Sequence, residues 1–330
     1  MEITRLSPDD EAGVAAASAL ETAAAKVDCP GLVMSTPKGL ANALRYGWDL
    51  NPGKKYLAHD ADGTLVGTVG LHFPKYENTD QVWFDVWVHP DHRDGTTVWA
   101  ELTAFAEQEA RDAGRTMMGL NTFDTPRDIA LATEHGYEQK AVEVNRKQEL
   151  TGLDWNAVQN LYDGAVAKST EYELLRIKGA LPDDMVEEMI AVAESINDAP
   201  TDDLEIEDDV YSTERLRAYE EAQAKCDNTI YRLVARQKET GALAGHTVIA
   251  VERERPEMGW QHDTSVSRDH RGHRLGALLK AGMLQWLREE EPQLARVDTW
   301  NAESNNHMIS INEQLNYEIV ARFLDYQKKL

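Results

Sequence analysis

The stretch HRGHRLGALLKA, residues 270–281, decides how the second half of this sequence is interpreted. It places three basic side chains and two glycines ahead of an apolar pattern with helical spacing, in a chain whose formal net charge is −24. The segment before it, GWQHDTSVS at 259–267, has the alternation of a β-strand. We therefore predict a strand ending at Val266, a basic loop, and a helix that begins near Leu275.

This strand-loop-helix unit is typical of an anion-binding site. The first amides of a helix lack intrahelical partners, and the helix dipole favours negative charge there. Glycines let a phosphate approach the backbone closely, and arginine can hold phosphate oxygens at two points. Because the loop lacks both a Gly-Lys-Ser/Thr ending and GxGxxG spacing, the pattern indicates a diphosphate ligand outside the common nucleoside triphosphate and dinucleotide motifs.

Two hairpin-like segments repeat along the chain. KKYLAHDADGTLVGTVGLHF at 54–73 and TIYRLVARQKETGALAGHTVIAV at 229–251 share an offset of 178 positions (Gly63 to Gly241), as does DHR at 91–93 and 269–271. Later landmarks share an offset of 180: Asn121 with Asn301, and Gly136-Tyr137 with Asn316-Tyr317. A constant spacing held by separate landmarks indicates a duplicated domain.

Each half mixes helical and strand patterns, which predicts an α+β fold. We predict an N-terminal domain over 1–150, a helical linker over 151–171 and a C-terminal domain over 172–330. Helices are predicted in the second half over 182–196, 213–224, 275–290 and 306–315, and strands over 172–179, 230–251 as a hairpin, 259–267, 295–300 and 318–327.

Composition excludes several classes of function. The charge of −24 opposes binding to nucleic acid or an anionic membrane, because both depend on basic side chains. The two cysteines lack CxxC spacing, so we expect no disulfide framework and no metal site. The polar segment after Met1 and the absence of a long apolar run lead us to expect a cytoplasmic protein.

With these residues in view, VSRDHRGHRLGA at 266–277 resembles the acetyl-CoA pyrophosphate loop of the GCN5-related N-acetyltransferase (GNAT) superfamily, Q/R-x-x-G-x-G/A. Arg271 takes the first position, Arg274 the fourth, where glycine is usual, and Gly276 the sixth. The resemblance implies two tandem GNAT domains, each a mixed, mostly antiparallel sheet flanked by helices, as in mycothiol synthase-like proteins. It implies acetyl-CoA as the acyl donor, bound by Ser265, Val266, Ser267, Arg271, Gly272, His273, Arg274, Leu275, Gly276 and Ala277.

A second motif lies in TWNAESNNHMISINEQLNYE at 299–318. Asn305 occupies the asparagine position of the superfamily's N-x-x-A-x-x-x-Y motif, and the resemblance implies that Asn305 and Asn301 bind the pantetheine arm. The tyrosine that often protonates the departing thiolate corresponds to Asn312, which cannot act as an acid. In the first half Arg93 is retained, but Thr96 and Val98 replace the expected small residues, so we interpret that domain as degenerate.

Acyl transfer to an amine needs a proton acceptor and a donor for the oxyanion. The resemblance implies that a backbone amide near Ser265 to Ser267 is the donor. Strand alternation predicts His262, Thr264 and Val266 on one face, with Gln261, Asp263 and Ser265 on the other. His262 is the preferred base, and Asp263 could orient a substrate ammonium or relay a proton through water; structural roles are open for both.

The acidic segment with Glu205, Glu207, Asp208 and Asp209 either selects a cationic acceptor or is a solvated charge run. These interpretations predict a monomeric or homodimeric N-acetyltransferase that acts on a small primary amine, with its active site in the C-terminal domain. The alternative is a noncatalytic module that senses acyl-CoA. The residues do not identify the acceptor.

Overall fold

The computed structural model describes residues 1–93, 95 and 97–330. Thr96, one of the two replacements noted in the first half, therefore lies outside the described residues. The described chain divides into two compact units. Unit 1 comprises Met1–Asn145, Thr201–Glu207 and Val320–Leu330, and unit 2 comprises Arg146–Pro200 and Asp208–Ile319.

These units differ from the continuous domains that we predicted over 1–150 and 172–330. Two segments of the second half of the sequence, 201–207 and 320–330, belong to unit 1. The last segment does so because its strand pairs antiparallel with a strand of unit 1, from Phe323 opposite Phe123 to Lys329 opposite Met117. A helix lies at Trp155–Val166, inside the predicted linker.

Unit 1 is a sheet with helices packed against it. Its sheet has the order β1-β2-β3-β4-β5-β12, with β4 and β5 parallel and the other neighbours antiparallel. The strands are β1 (Glu2–Arg5), β2 (Lys54–His59), β3 (Leu65–His72), β4 (Gln81–Val88), β5 (Met117–Phe123) and β12 (Glu318–Lys329). The helices are α1 (Glu11–Asp28), α2 (Pro37–Tyr46), α3 (Thr97–Asp112) and α4 (Pro126–Glu134), and the division falls within β6 (Glu138–Glu149).

Unit 2 repeats this arrangement. Its sheet has the order β7-β8-β9-β10-β11, with only the β10–β11 pair parallel. The strands are β7 (Tyr172–Lys178), β8 (Asn228–Gln237), β9 (Leu243–Glu252), β10 (Met258–Val266) and β11 (Arg296–Ala302). The helices are α5 (Trp155–Val166), α6 (Val186–Glu194), α7 (Thr213–Lys225), α8 (Leu275–Glu290) and α9 (Asn306–Gln314), with a 3₁₀ turn at Ser195–Asp198 after α6.

Strand β9 forms the centre of unit 2 and is buried along almost its whole length. One face of the sheet packs against the apolar residues of α8, and the other packs against α6 and α7. Strands covered on both faces read as continuous apolar runs, which explains why LAGHTVIAV lacks a polar stripe. The sheet therefore separates α8, which follows the basic loop, from α6 and α7 on its other face.

The predicted α+β fold and the predicted duplication are both found, because each unit is a mixed sheet flanked by helices. The strand ending at Val266 and the helix beginning at Leu275 are found where the basic loop predicted them. No helix in the described ranges is both long and apolar enough to span a bilayer.

Candidate functional site

The loop between β10 and α8 presents a row of backbone amides. Gly272 has φ +87° and Arg274 has φ +59°. Among the described residues, none of the amides from 272 to 277 has a hydrogen-bond partner, and the first helical bond runs from Leu278 to the carbonyl of Arg274 at 3.0 Å. Unpaired donors at the start of a 16-residue helix make a site for an anion. We call the amides of 272–277 the amide cradle.

Arg274 adopts the left-handed conformation directly before α8. That conformation costs a residue other than glycine about 1–2 kcal/mol, which explains the usual glycine of the superfamily motif. A Cβ atom placed on Gly164 of α5 would lie 3.6 Å from Arg274 Nη1, so the guanidinium rests against α5.

Arg271 lies beside the amide cradle, where the sequence predicted it, with part of its guanidinium already bonded. Its Nε donates to the carbonyl of Val266 at 3.0 Å, and its Nη2 donates to Asp198 Oδ2 at 2.5 Å. Arg268 donates to the other oxygen of Asp198. Hydrogen bonds from Arg268 and Arg271 hold the pKa of the Asp198 carboxyl below its usual range. Two cations share one carboxylate, so positive charge remains beside the cradle while Arg271 fixes the loop.

Tyr172 of β7 supports the histidines of the loop. Its hydroxyl lies 3.0 Å from His270 Nδ1, and its ring centroid lies 5.3 Å from that of His273. Tyr172 is buried, so the two rings rest on a fixed platform. This contact could not be predicted from local sequence patterns, because 98 positions separate Tyr172 from His270.

Strand β10 contains a bulge next to the loop. Its pairing with β9 shifts by one residue between Gln261 and Thr264, so His262 and Asp263 together face Val248. The Gln261 side chain fills the bulge, with Nε2 donating to the Val248 carbonyl at 2.7 Å. The extra residue of a bulge leaves the ladder and redirects side chains.

The bulge overturns the predicted alternation along β10. His262 contacts Tyr219 of α7, and Ser265 Oγ donates to the carbonyl of Val192 in α6 at 2.8 Å. Both side chains therefore face the α6–α7 side, whereas strict alternation placed them on opposite faces. The inserted residue moves every later position of the strand to the other face.

The hydrogen-bond pattern of β10 determines which backbone amide in Ser265–Ser267 can donate to a ligand. The Ser267 amide donates to Ala244 at 2.9 Å. Bonded pairs alternate in an antiparallel ladder, so Ser265 also bonds β9, and the Val266 amide points to the other edge. On that edge the pairing with β11 ends at Gln261 opposite Thr299. The Val266 amide therefore faces the gap between the diverging strands.

His262, the preferred base, lies in a poor environment for proton uptake. Its Nδ1 is 2.6 Å from the Tyr219 hydroxyl. Burial, with a smaller contribution from the Arg232 charge, lowers the pKa of His262 to about 3. The imidazole is therefore neutral at pH 7 but only a weak base.

Asp263 has the more suitable proton affinity. Burial and the neighbouring Asp209 raise the pKa of its carboxyl to about 6, against the opposing effects of Arg232 and Arg215. A carboxylate with a pKa near the working pH can both accept and release a proton. The bulge thus brings His262 and Asp263 together, and the electrostatics favour Asp263 as the base.

The asparagines of the second motif lie at the ends of β11 and α9. Asn305 caps α9, with its side-chain oxygen accepting from Met308 N at 3.2 Å. Asn301 Oδ1 accepts from Asn312 Nδ2 at 2.8 Å, and Asn312 Oδ1 accepts from Lys280 Nζ at 2.6 Å. Asn312 therefore belongs to a buried polar chain that the sequence did not predict.

The acidic segment does not act as one group. Residues 201–207, including Glu205 and Glu207, belong to unit 1, where Glu207 accepts from Asn78 N at 2.6 Å. Asp208 and Asp209 belong to unit 2, and only Asp209 acts on Asp263. Within the described residues, no cluster of three His, Cys, Asp or Glu side chains is arranged to hold a metal.

Unit 1 carries the equivalent loop with different surroundings. Arg93 Nε donates to Val88 O at 3.0 Å, and both terminal nitrogens bond Asp28 at 2.7 and 2.6 Å. A cavity of about 370 Å³ beside the loop is lined partly by Asp60, Asp91 and Glu101. These carboxylates make the described surroundings of this loop less favourable to a phosphate than the surroundings of the amide cradle.

Part of this chain is similar in sequence to known acetyltransferases. Residues 192–315 match the acetyltransferase (GNAT) family model. The mycothiol acetyltransferase of Stackebrandtia nassauensis is 27% identical over 140 residues, which cover 42% of this chain and 45% of that relative. The match thus spans less than half of the relative's length.

Two solved structures resemble the whole chain. A tandem GNAT protein from the clavulanic acid biosynthesis pathway, solved without acetyl-CoA, is 24% identical with a TM-score of 0.81, over 99% of this chain and 98% of that one. A GCN5-related N-acetyltransferase from Sphaerobacter thermophilus is 16% identical with a TM-score of 0.72, over 99% and 95%. Residues 192–315 are therefore similar to the GNAT family of acetyltransferases, and the whole chain has the fold of a tandem of two GNAT units.

Proposed function

We propose that this protein transfers acetyl from acetyl-CoA to a small primary amine and that unit 2 carries the active site. The observation that supports this most is the amide cradle of 272–277, in which six consecutive amides lack partners next to Arg268 and Arg271. A diphosphate matches such a site in charge and in acceptor oxygens.

Different residues of unit 2 have different roles in the proposed acyl transfer. The amide cradle holds the diphosphate, and Asn305 and Asn301 line the course of the pantetheine arm. The Val266 amide, at the open edge of β10, donates to the carbonyl oxygen as negative charge develops on it. Asp263 accepts the proton of the attacking amine, with His262 and Tyr219 beside it. The acceptor is a cationic amine, because Asp263 and Asp209 supply negative charge on this side of the sheet.

The location of the acyl donor is tested by titration calorimetry with acetyl-CoA. We expect about one site per chain. The substitution Gly276→Val should weaken binding at least tenfold, because a β-branched side chain crowds the cradle, where Ile311 Cδ1 already lies 3.1 Å from the position of a Cβ. The matched change Val98→Ala in unit 1 should leave the affinity unchanged.

Two equal sites, or a loss of affinity only in the unit 1 variant, would contradict the assignment to unit 2. Thiol release from acetyl-CoA with a panel of primary amines tests the reaction itself. Binding without thiol release from any amine would favour the alternative, a noncatalytic acyl-CoA sensor.

Cytoplasmic location remains part of the proposal. The two cysteines, Cys29 and Cys226, are free thiols, which suits a reducing compartment. We propose a monomer or homodimer whose partner is the small amine, with neither nucleic acid nor membrane as a ligand.

A further inference from the structure

A chain of polar side chains crosses the interior of unit 2 between α8, α9 and β11. Lys280 Nζ donates to Asn312 Oδ1 at 2.6 Å, and Asn312 Nδ2 donates to Asn301 Oδ1 at 2.8 Å. Lys280 is 3% exposed and Asn312 is fully buried. Burying an ammonium that meets no carboxylate costs several kcal/mol, so packing does not account for it.

Unit 1 shows that the fold does not require these polar groups. The repeat offsets place Leu102 at the position of Lys280 and Ala132 at that of Asn312. Both are fully buried in the apolar core of unit 1. The same helices therefore pack against each other with an apolar pair, and the lysine and asparagine are particular to unit 2.

The Lys280 ammonium has spare donor capacity. It offers three hydrogens, and the described residues provide one acceptor, Asn312, and the face of the Tyr317 ring at 4.8 Å. Burial lowers the pKa of Lys280 to about 7 and raises that of Tyr317, which stays neutral. The nearest carboxylate on β11, Asp298, is ion-paired with Arg296. Lys280 thus exchanges a proton near neutral pH without a competing charge.

The chain of side chains connects α8, which carries the amide cradle at its start, with the end of β11. Lys280 lies five positions after Leu275, the first residue of α8, or about 7.5 Å along the helix axis. Asn301 lies two residues beyond Thr299, where β11 has left β10. The chain of side chains thus begins in the helix that starts at the amide cradle and ends on β11 just beyond its pairing with β10.

We propose that Lys280, held by Asn312 and Asn301, donates the proton that the departing coenzyme A thiolate receives. This assignment rests on the proposed function. As the amine nitrogen forms its bond to the carbonyl carbon, the carbon–sulfur bond breaks and its electron pair stays on sulfur. One proton passes from the Lys280 ammonium to sulfur, and the neutral lysine regains a proton from solvent. The proton of the amine leaves through Asp263.

The test is the pH dependence of kcat for thiol release from acetyl-CoA, with an amine that supports turnover. In the wild type, kcat falls as pH rises through the pKa of Lys280, because the neutral amine cannot donate. The substitution Lys280→Met should lower kcat about 100-fold, remove this alkaline limb and leave the affinity for acetyl-CoA unchanged.

The double variant Lys280→Leu/Asn312→Ala keeps the test valid if the single variant folds poorly. It installs the pair that unit 1 already packs, so it should fold and bind acetyl-CoA while showing the same loss of kcat. A variant that binds acetyl-CoA and retains both kcat and its alkaline limb would overturn the role of Lys280 and leave the proposed function intact. A wild-type protein that binds acetyl-CoA without turnover would overturn both.

Discussion

Unit 1 and unit 2 hold the same repeated carboxylate in two environments. In unit 1, Asp85 accepts from Trp87 Nε1 at 2.7 Å and lies 3.6 Å from Lys55 Nζ. In unit 2 the equivalent Asp263 lies in a bulge, buried near Asp209, with a pKa raised to about 6. The β3–β4 pairing of unit 1 runs without a shift from Gly67 to His72. The two carboxylates occupy equivalent positions, so the bulge in the pairing of β10 distinguishes the surroundings of Asp263 from those of Asp85.

The two units thus share one arrangement of strands and helices and differ in the positions of their charged side chains. Leu102 and Ala132 of unit 1 correspond to Lys280 and Asn312 of unit 2. The duplicated fold therefore accommodates apolar residues at these positions. The polar replacements are then best explained by chemistry at the site.

The largest effect should come from Asp263→Asn. Loss of the base should lower kcat for amine acetylation by about 10²–10⁴ and abolish the rise in rate as pH increases through about 6, because only the ionised carboxylate accepts a proton. Initial rates of thiol release across pH 5–8 measure both. The matched change Asp85→Asn should stay within about twofold of the wild type. Equal losses in both variants would remove the distinction between the units.

Glu220→Ala should cause the largest loss of stability. Arg232 is almost fully buried, and its Nη1 bonds Glu220 Oε1 at 3.0 Å. Removing that carboxylate leaves a buried cation without its partner, at a cost of about 3–5 kcal/mol. Glu21→Ala is the control, because Lys55 keeps Asp85 at 3.6 Å. Lys55 pairs with Gly70 as Arg232 pairs with Val248, the residue equivalent to Gly70, so the strand register makes the two cations equivalent. Denaturant unfolding, resolved by hydrogen exchange in peptides of each unit, should show the smaller cost in unit 1.

His246→Leu should reduce the acid sensitivity of unit 2. His246 is 3% exposed, and neither ring nitrogen has a partner among the described residues; burial lowers its pKa to about 3. Below pH ~6.5 the unfolded chain binds a proton that the folded unit does not, so stability falls as pH decreases toward 3, at about 1.4 kcal/mol per pH unit. The variant should lose much of this slope in unfolding experiments between pH 4 and 7.

Thr68, the unit 1 equivalent of His246, provides the contrast. Its hydroxyl donates to Glu21 at 2.9 Å and does not titrate in this range. The substitution Thr68→Val should leave the pH slope as it is. A slope that is the same in wild type and His246→Leu would show that other groups govern acid unfolding.

The smallest effect should come from Arg274→Gly. Glycine adopts φ +59° without penalty, so the free energy of unfolding should rise by about 1 kcal/mol at most. Binding of acetyl-CoA should weaken by less than tenfold, since the cradle uses backbone amides. Thermal unfolding and calorimetry measure the two quantities. A complete loss of binding would instead assign the diphosphate to the Arg274 side chain.

Local signals predicted the elements near the loop well. The basic loop, its flanking strand and helix, and the tandem repeat all follow from glycines, charges and hydrophobic spacing along the chain. The bulge at His262 and Asp263 could not be predicted, because an inserted residue leaves the composition of a strand unchanged. The alternation assigned to Ser265 was wrong for this reason.

Contacts between segments distant in sequence also could not be predicted. Asp198 meets Arg268 and Arg271 across some 70 positions, and Lys280 meets Asn312 across 32. A lysine inside an amphipathic helix usually lies on the solvent-exposed face. The burial of Lys280 therefore follows from the packing of α9 against α8, which local sequence does not predict. The replacement of the usual tyrosine by Asn312 was the sequence signal of an altered proton donor.

The pairing of β12 with β5 also governs when unit 1 can form during synthesis. Residues 320–330 are made after the rest of unit 1, yet they complete a sheet whose first strands are made some 300 residues earlier. Until then, β5 carries an open edge, which invites pairing with other chains. Nascent unit 1 must therefore wait for residues 320–330, and a chain truncated after residue 319 would contain an incomplete unit 1 that is prone to aggregate.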